Sequence, residues 1–217
     1  KKATCIGDKE YLKQFNTMMK KTSFLLLGAA FLVSSLAFVA PKNPKAPLIL
    51  AVQSDKSRVD FIGSKAADFH TGTFAVKGGS VQVEAGKLVG GSFVIDLANL
   101  KVTDAAGERL AGHLKSADFF DTENHPNATF KLNEVIHQSE SLHLASGILT
   151  IKGMSNPLSF PIQIKNTDSM MEISGLAEVD RTLYDVKYGS ASFFDSLGDK
   201  AINNLFELNF ELKIKIK

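Results

Sequence analysis

Tryptophan is absent, tyrosine occurs three times, and the single cysteine, Cys5, lies ahead of the first methionines, Met18-Met19. A disulfide framework is therefore excluded, and from Val52 onward there is no thiol to act as a nucleophile. Catalytic and nucleotide-binding signatures are missing too. The chain has no G-x-S-x-G elbow, no H-E-x-x-H or H-x-x-x-H helix and no phosphate-cradling glycine loop. Gly78-Gly79-Ser80 and Gly90-Gly91-Ser92 read as turn or bulge glycines beside strands. No internal repeat or low-complexity tract interrupts the chain. These absences lower the expectation of an enzyme, and none is expected here.

Proline is scarce, six in 217 residues, and three of the six are Pro41, Pro44 and Pro47. Such spacing resists helix and sheet alike and reads as a linker over 41–51. Upstream, Lys20-Lys21 precede an apolar run, Phe24 to Val39, relieved only by Gly28, Ser34 and Ser35. Ser35-Leu-Ala37 supplies small residues for cleavage, so 18–40 reads as a signal peptide and 1–17 as an upstream extension. The alternative is a retained anchor over 22–40, because the run approaches the lower limit of about 17 residues for a membrane span. On the signal-peptide reading the mature domain, 52–217, is soluble and periplasmic or secreted.

Excess positive charge belongs to the leader. Residues 1–46 hold eight of the 25 basic residues and two of the 23 acidic ones, leaving 17 against 21, a net of −4. A mildly acidic domain lacks the phosphate-neutralising charge that drives nucleic-acid binding, and no nucleic-acid partner is expected.

What is present is alternation. Phe206, Leu208, Phe210, Leu212, Ile214 and Ile216 are separated by Glu207, Asn209, Glu211, Lys213 and Lys215. Period-two patterning of this length describes a strand with one apolar face. Shorter stretches repeat it: Val81 and Val83 before the turn Ala85-Gly-Lys87, then Phe93, Ile95 and Leu97. Strands are also expected over 129–137, 141–152, 157–165 and 170–180. Polar turns at Gln138–Glu140, Gly153–Pro157 and Asn166–Ser169 separate them. Hairpin spacing favours antiparallel meander connections. Leu110 and Leu114 mark a short helix over 107–116, and 193–205 reads as a helical turn or a crossing loop. The fold class is thus all-β: about eight antiparallel strands with one or two short helices. Periodicity leaves barrel and sandwich both open.

Five segments stand in a recognisable order. They are Ser57–Gly63 with Phe69–Phe74, His113-Leu-Lys-Ser-Ala-Asp-Phe-Phe-Asp121, His125-Pro-Asn-Ala-Thr-Phe130, Gly147–Gly153, and Asp180-Arg181 with Tyr184-Asp-Val186. Together, across 54–217, they resemble the YceI-like family of secreted lipid-binding proteins. The family often has Trp where this chain has Phe61. The resemblance implies a single lipocalin-like β-barrel and, as ligand, a polyisoprenoid or a comparable amphiphile such as a fatty-acyl lipid. No other cofactor is called for. It selects barrel over sandwich, and a barrel of about eight strands encloses side chains or one small ligand.

Candidate lining residues are Phe69, Phe74, Phe93, Ile95, Leu114, Phe119, Phe120, Phe130, Leu149 and Phe160. Any one of them is ordinary core; the set suits a hydrocarbon chain, each buried methylene contributing about 0.8 kcal/mol. His70, His113, Asp118 and Arg181 are candidates for the rim and a head group. The histidines are too scattered in sequence for a metal site. His137 and His143 are expected on the exposed face of a hairpin. Asp180-Arg181 reads as a salt bridge, a rim network or a head-group contact. Two rivals stay open: a structural protein with a phenylalanine-filled barrel, and an enzyme on a hydrophobic substrate. A homodimer through the terminal strand also stays open, since only a closed barrel would occupy both of its edges.

Overall fold

Residues 46–216 are described by the computed structural model; the leader segments 1–17, 18–40 and 22–40 lie outside them. Nine strands form one antiparallel sheet: β1 (Leu48–Ala51), β2 (Arg58–Lys65), β3 (Asp68–Glu84), β4 (Lys87–Val102), β5 (Asn127–His137), β6 (Leu142–Ile151), β7 (Met154–Asn166), β8 (Met170–Asp180) and β9 (Ile202–Lys215). A helix, α1 (Gly107–Lys115), follows β4. The order runs β3-β2-β9-β8-β7-β6-β5-β4, and β4 returns to β3, so eight strands close a barrel. The closed antiparallel barrel expected from the family resemblance is what the chain forms.

Alternation decides which face turns inward. In β6 and β9 every second residue is buried or lines the interior, while the residues between face out. Outward, Lys213 pairs with Glu172 and Glu211, and Arg58 with Asp60 at 3.0 Å. Inward, the core runs from Val59 and Phe61 through Phe93, Leu149 and Ile173 to Leu212. Two hairpins turn through two residues with positive φ, Ala85-Gly86 (48°, 80°) and Lys152-Gly153 (50°, 74°). Such turns match the right-handed strand twist and fix register.

Four local expectations are corrected. Leu48–Ala51, expected as the end of a proline-rich linker, forms β1: Leu-Ile-Leu-Ala contains no proline and pairs with Ser80–Val83 of β3, beyond the reach of β2. The turn expected over Gly153–Pro157 is only Lys152-Gly153, and Pro157 sits within β7 opposite Ile148. β9 begins at Ile202 rather than Phe206, and 193–201 holds turns and a single 3₁₀ turn at Gly198–Lys200. His143 is buried rather than exposed, since it falls on the inward face of β6.

The wall is not uniform. β7 pairs with β6 from Met154 to Gln163, yet it pairs with β8 only from Ile162 to Asn166. β8 stays paired with β9 through Asp180. From Pro161 back to Met154, β7 therefore has no ladder to β8.

Candidate functional site

The interior divides into two hollows. The inner one is a chamber of about 90 Å³, lined by apolar side chains from β2 and from β4 through β9. Phe93, Ile95, Phe130, Leu149 and Phe160 of the expected set lie here. Phe160 meets Phe130 at 5.3 Å and Phe210 at 5.5 Å, so three rings from β5, β7 and β9 form its central surface. Large rings fit because small residues face them. Cβ atoms added to Gly147 and Gly175 would approach Phe130 and Phe210 to 2.7 and 2.8 Å, and one on Gly72 would strike Phe61.

The outer hollow, about 260 Å³, lies at the end of the barrel that carries α1. Phe74, Leu114, Phe119 and Phe120 of the expected lining are found here, together with His70, His113 and Arg181. Between the hollows runs a layer of rings: Phe61–Phe74 at 4.9 Å, Phe74–Phe120 at 5.8 Å and Phe120–Phe206 at 6.4 Å. Phe120 reaches that layer from the loop after α1, which is held by Phe120 N–H donating to Leu114 O.

Two expected site residues lie elsewhere. Phe69 is 62% exposed at the β2–β3 hairpin, where its N–H donates to Asp68 Oδ1, so it does not line the barrel. Asp118 is exposed and lines neither hollow. In its loop Ser116 and Asp121 make the local bonds, Ser116 Oγ to His113 O and Asn124 Nδ2 to Asp121 Oδ1.

The polar side of the outer hollow is built around Arg181 and two histidines. Arg181 is buried and forms no bridge with Asp180, whose carboxylate instead accepts from Thr182 N and Oγ1. Its guanidinium donates to the carbonyls of Asn203, Val186, Tyr188 and Ile202 at 2.7–3.0 Å. Four of its five N–H groups are thereby used to bind the segment after β8 to the start of β9. Burial lowers the Arg181 pKa, opposed by the charge of Asp180. The same environment pushes the Tyr184 hydroxyl up to about 12, burial first and Asp180 second. His70 Nδ1 lies 3.2 Å from Asp104 Oδ2, and N–H donation from Ala106 and Thr71 holds that carboxyl below the usual range. His113 stacks edge-on to Phe119 at 4.9 Å and to Tyr188 at 4.7 Å. Among the described residues, no group of three His, Cys, Asp or Glu side chains is placed to hold a metal ion.

Tyr188, Leu158 and Ile162 were not singled out from sequence, while Phe206 and Phe210, read as part of the apolar face of the last strand, line the outer and the inner hollow respectively. Parity along β7 could have supplied Leu158 and Ile162. Nothing in the local pattern marks Tyr188. His143 lines neither hollow: its ring meets His137 at 4.6 Å, its Nδ1 has no hydrogen-bond partner, and burial lowers its pKa.

A family model for the YceI-like domain matches residues 50–214. The chain belongs to the YceI-like domain family. Curated relatives of this YceI-like chain include UPF0312 proteins of Azotobacter vinelandii, 28% identical over 65% of the chain and 71% of the relative, and of Pseudomonas putida, 28% identical over 66% and 72%. Among solved structures the YceI-like barrel resembles BcnA of Burkholderia cenocepacia, with a TM-score of 0.63, 20% identity, and 75% and 98% of the two chains covered. It also resembles a polyisoprenoid binding domain from Saccharophagus degradans, with a TM-score of 0.58, 14% identity and coverage of 76% and 97%. At these identities the likeness to solved structures concerns the fold.

Proposed function

We propose that this YceI-like barrel sequesters or carries a polyisoprenoid or a similar long-chain amphiphile, its tail in the inner chamber and its head in the outer hollow. One observation carries the reading: every side chain lining the inner chamber is apolar, while His70, His113, Tyr188 and Arg181 border the outer hollow. A chain without polar atoms loses nothing on entering such a chamber and gains about 0.8 kcal/mol per buried methylene. The polyisoprenoid binding domain of the same fold supports the ligand class. The apolar run Phe24–Val39 behind Lys20-Lys21 supports export to the periplasm or beyond. Binding without turnover is part of the proposal, and no nucleophile–base pair is invoked.

The size of the inner chamber favours a second reading. Its 90 Å³ is smaller than the roughly 150 Å³ cavity that accepts one benzene. A long tail must therefore displace the phenylalanine layer and join the two hollows; a barrel simply filled by its rings would not open. Native mass spectrometry of the purified protein, followed by organic extraction, separates the two. A discrete bound mass that extracts as a prenyl or acyl lipid is expected. An unliganded mass that persists after incubation with both lipid classes establishes the filled barrel instead.

A further inference from the structure

The unpaired stretch of the wall contains two of the six prolines, Pro157 and Pro161. Ile164 N–H donates to Ser141 O, on the β6 side. Backbone N–H groups alternate in direction along a strand, and the β6–β7 register is unbroken from Met154 to Gln163. Even-numbered residues of β7 thus donate toward β6, and odd-numbered ones toward β8. Pro157 and Pro161 lack an N–H on the side where β8 would pair. Extending the register Ile162↔Gly175 places Pro161 opposite Leu176 and Pro157 opposite Asp180. Both missing donors fall where β8 would otherwise zip onto β7.

The result is a window in the barrel wall about 15 Å long, given the strand rise per residue. At one end it is bounded by the close approach of Pro161 O to Gly175. At the other, Asn156 Nδ2 donates to Leu183 O and Lys152 Nζ to Asp185 O, tying β7 to the turn after β8. Leu158 and Ala177, one from each strand flanking the window, line the inner chamber. Outside, Met154, Leu176 and Leu183 are 44%, 47% and 50% exposed. Leu176 on the outer rim and Leu158 and Ala177 beneath it put apolar side chains on both sides of the gap, with Ser159 and Glu178 on its outer lips.

We propose that the seam between β7 and β8 is a lateral portal, held open by Pro157 and Pro161, through which the hydrocarbon chain of the ligand enters and leaves. The proposal rests on the lipid-binding reading and adds the route and the ligand's shape. A slit between strands admits a linear acyl or prenyl chain sideways, while its polar head stays in water. It does not admit a fused-ring lipid. Entry by this route leaves the rings of Phe61, Phe74, Phe120 and Phe206 undisturbed until the chain is already inside.

The test joins the two lips in the folded protein. Ser159 and Glu178 are exposed and face each other across the seam in the extended register. In a Cys5→Ser background, Ser159→Cys and Glu178→Cys are linked by a short bismaleimide, and uptake of trans-parinaric acid, a linear fatty acid with its own fluorescence, is followed by stopped flow. Uptake and release should slow together by on the order of tenfold in linked protein, with the affinity nearly unchanged. Equal rates in linked and unlinked protein overturn the portal and leave lipid binding intact. If unlinked protein neither takes up the probe nor co-purifies with lipid, the binding reading fails and the portal with it. Independently, Pro157→Val with Pro161→Val restores both donors. Slow hydrogen exchange at positions 157 and 161 with slowed uptake is expected, and fast exchange at both overturns the role given to the prolines.

Discussion

Phe61 lies across Gly72, Phe130 across Gly147 and Phe210 across Gly175, so each inward ring occupies the volume a neighbouring side chain would need. Glycine here is a packing requirement. Gly72→Ala forces Phe61 off its position, and overpacking of this kind costs about 1–3 kcal/mol. Chemical denaturation should show the loss as a lower midpoint at an unchanged slope. Tyr184 gives a second, pH-dependent prediction. Its pKa is raised from 10.0 to about 12. A raised folded value means that the unfolded chain ionises first as pH rises. The stabilisation is complete below pH 10 and disappears toward pH 12. A displacement from 10.0 to about 12 corresponds to about 3 kcal/mol. Tyr184→Phe should remove this decline, read as a flatter stability profile over that window.

At the scale of elements, the two-residue hairpins set the register on which every inward residue depends. Gly153 holds φ of 74°. Gly153→Ala imposes a left-handed conformation on a residue with a Cβ, at about 1–2 kcal/mol, measurable as a fall in melting temperature. Strands of this kind were legible in the sequence wherever alternation was long: β9, β4 and the β3–β4 hairpin follow directly from side-chain parity, whereas the β2–β3 hairpin came from the family resemblance. The inner lining followed as well, because Phe93, Phe130 and Phe160 fall on the inward parity of their strands. Pro157 misled because proline signals a turn unless one edge of its strand is free, and that freedom is a property of β8. Phe69 misled because aromatic character does not say which side of a hairpin tip meets water. Arg181 pairs with carbonyls more than twenty residues away, and His143 is buried by β5 and β7, so neither role could be read from its neighbours in sequence.

For the whole molecule, the two hollows offer the proposed ligand an apolar chamber for its tail and a partly polar one for its head. Ala145 is buried on β6 opposite Phe160 and lines the inner chamber. Ala145→Phe should fill the chamber while the outer hollow stays as it is. Lipid retained through purification should then fall sharply, read by native mass spectrometry, while far-ultraviolet circular dichroism is unchanged. Self-association through the terminal strand finds no free edge: β9 is paired with β2 on one side and β8 on the other, and Gln53 N–H donates to Lys213 O just before β2 begins.

The join between β2 and β9 unites strands about 150 positions apart, Arg58 beside Glu211 at its far end. Every other neighbouring pair around the ring is a hairpin or a shorter connection, and can form as the chain emerges during synthesis. This one cannot. Until the final segment has been made, the growing polypeptide is an open, curling ribbon with two raw borders, and search times for contacts so distant run from milliseconds to seconds. Completion of the ring thus waits for β9. A message truncated before Phe206 yields a ribbon that cannot shut, sticky along both margins and marked for proteolysis.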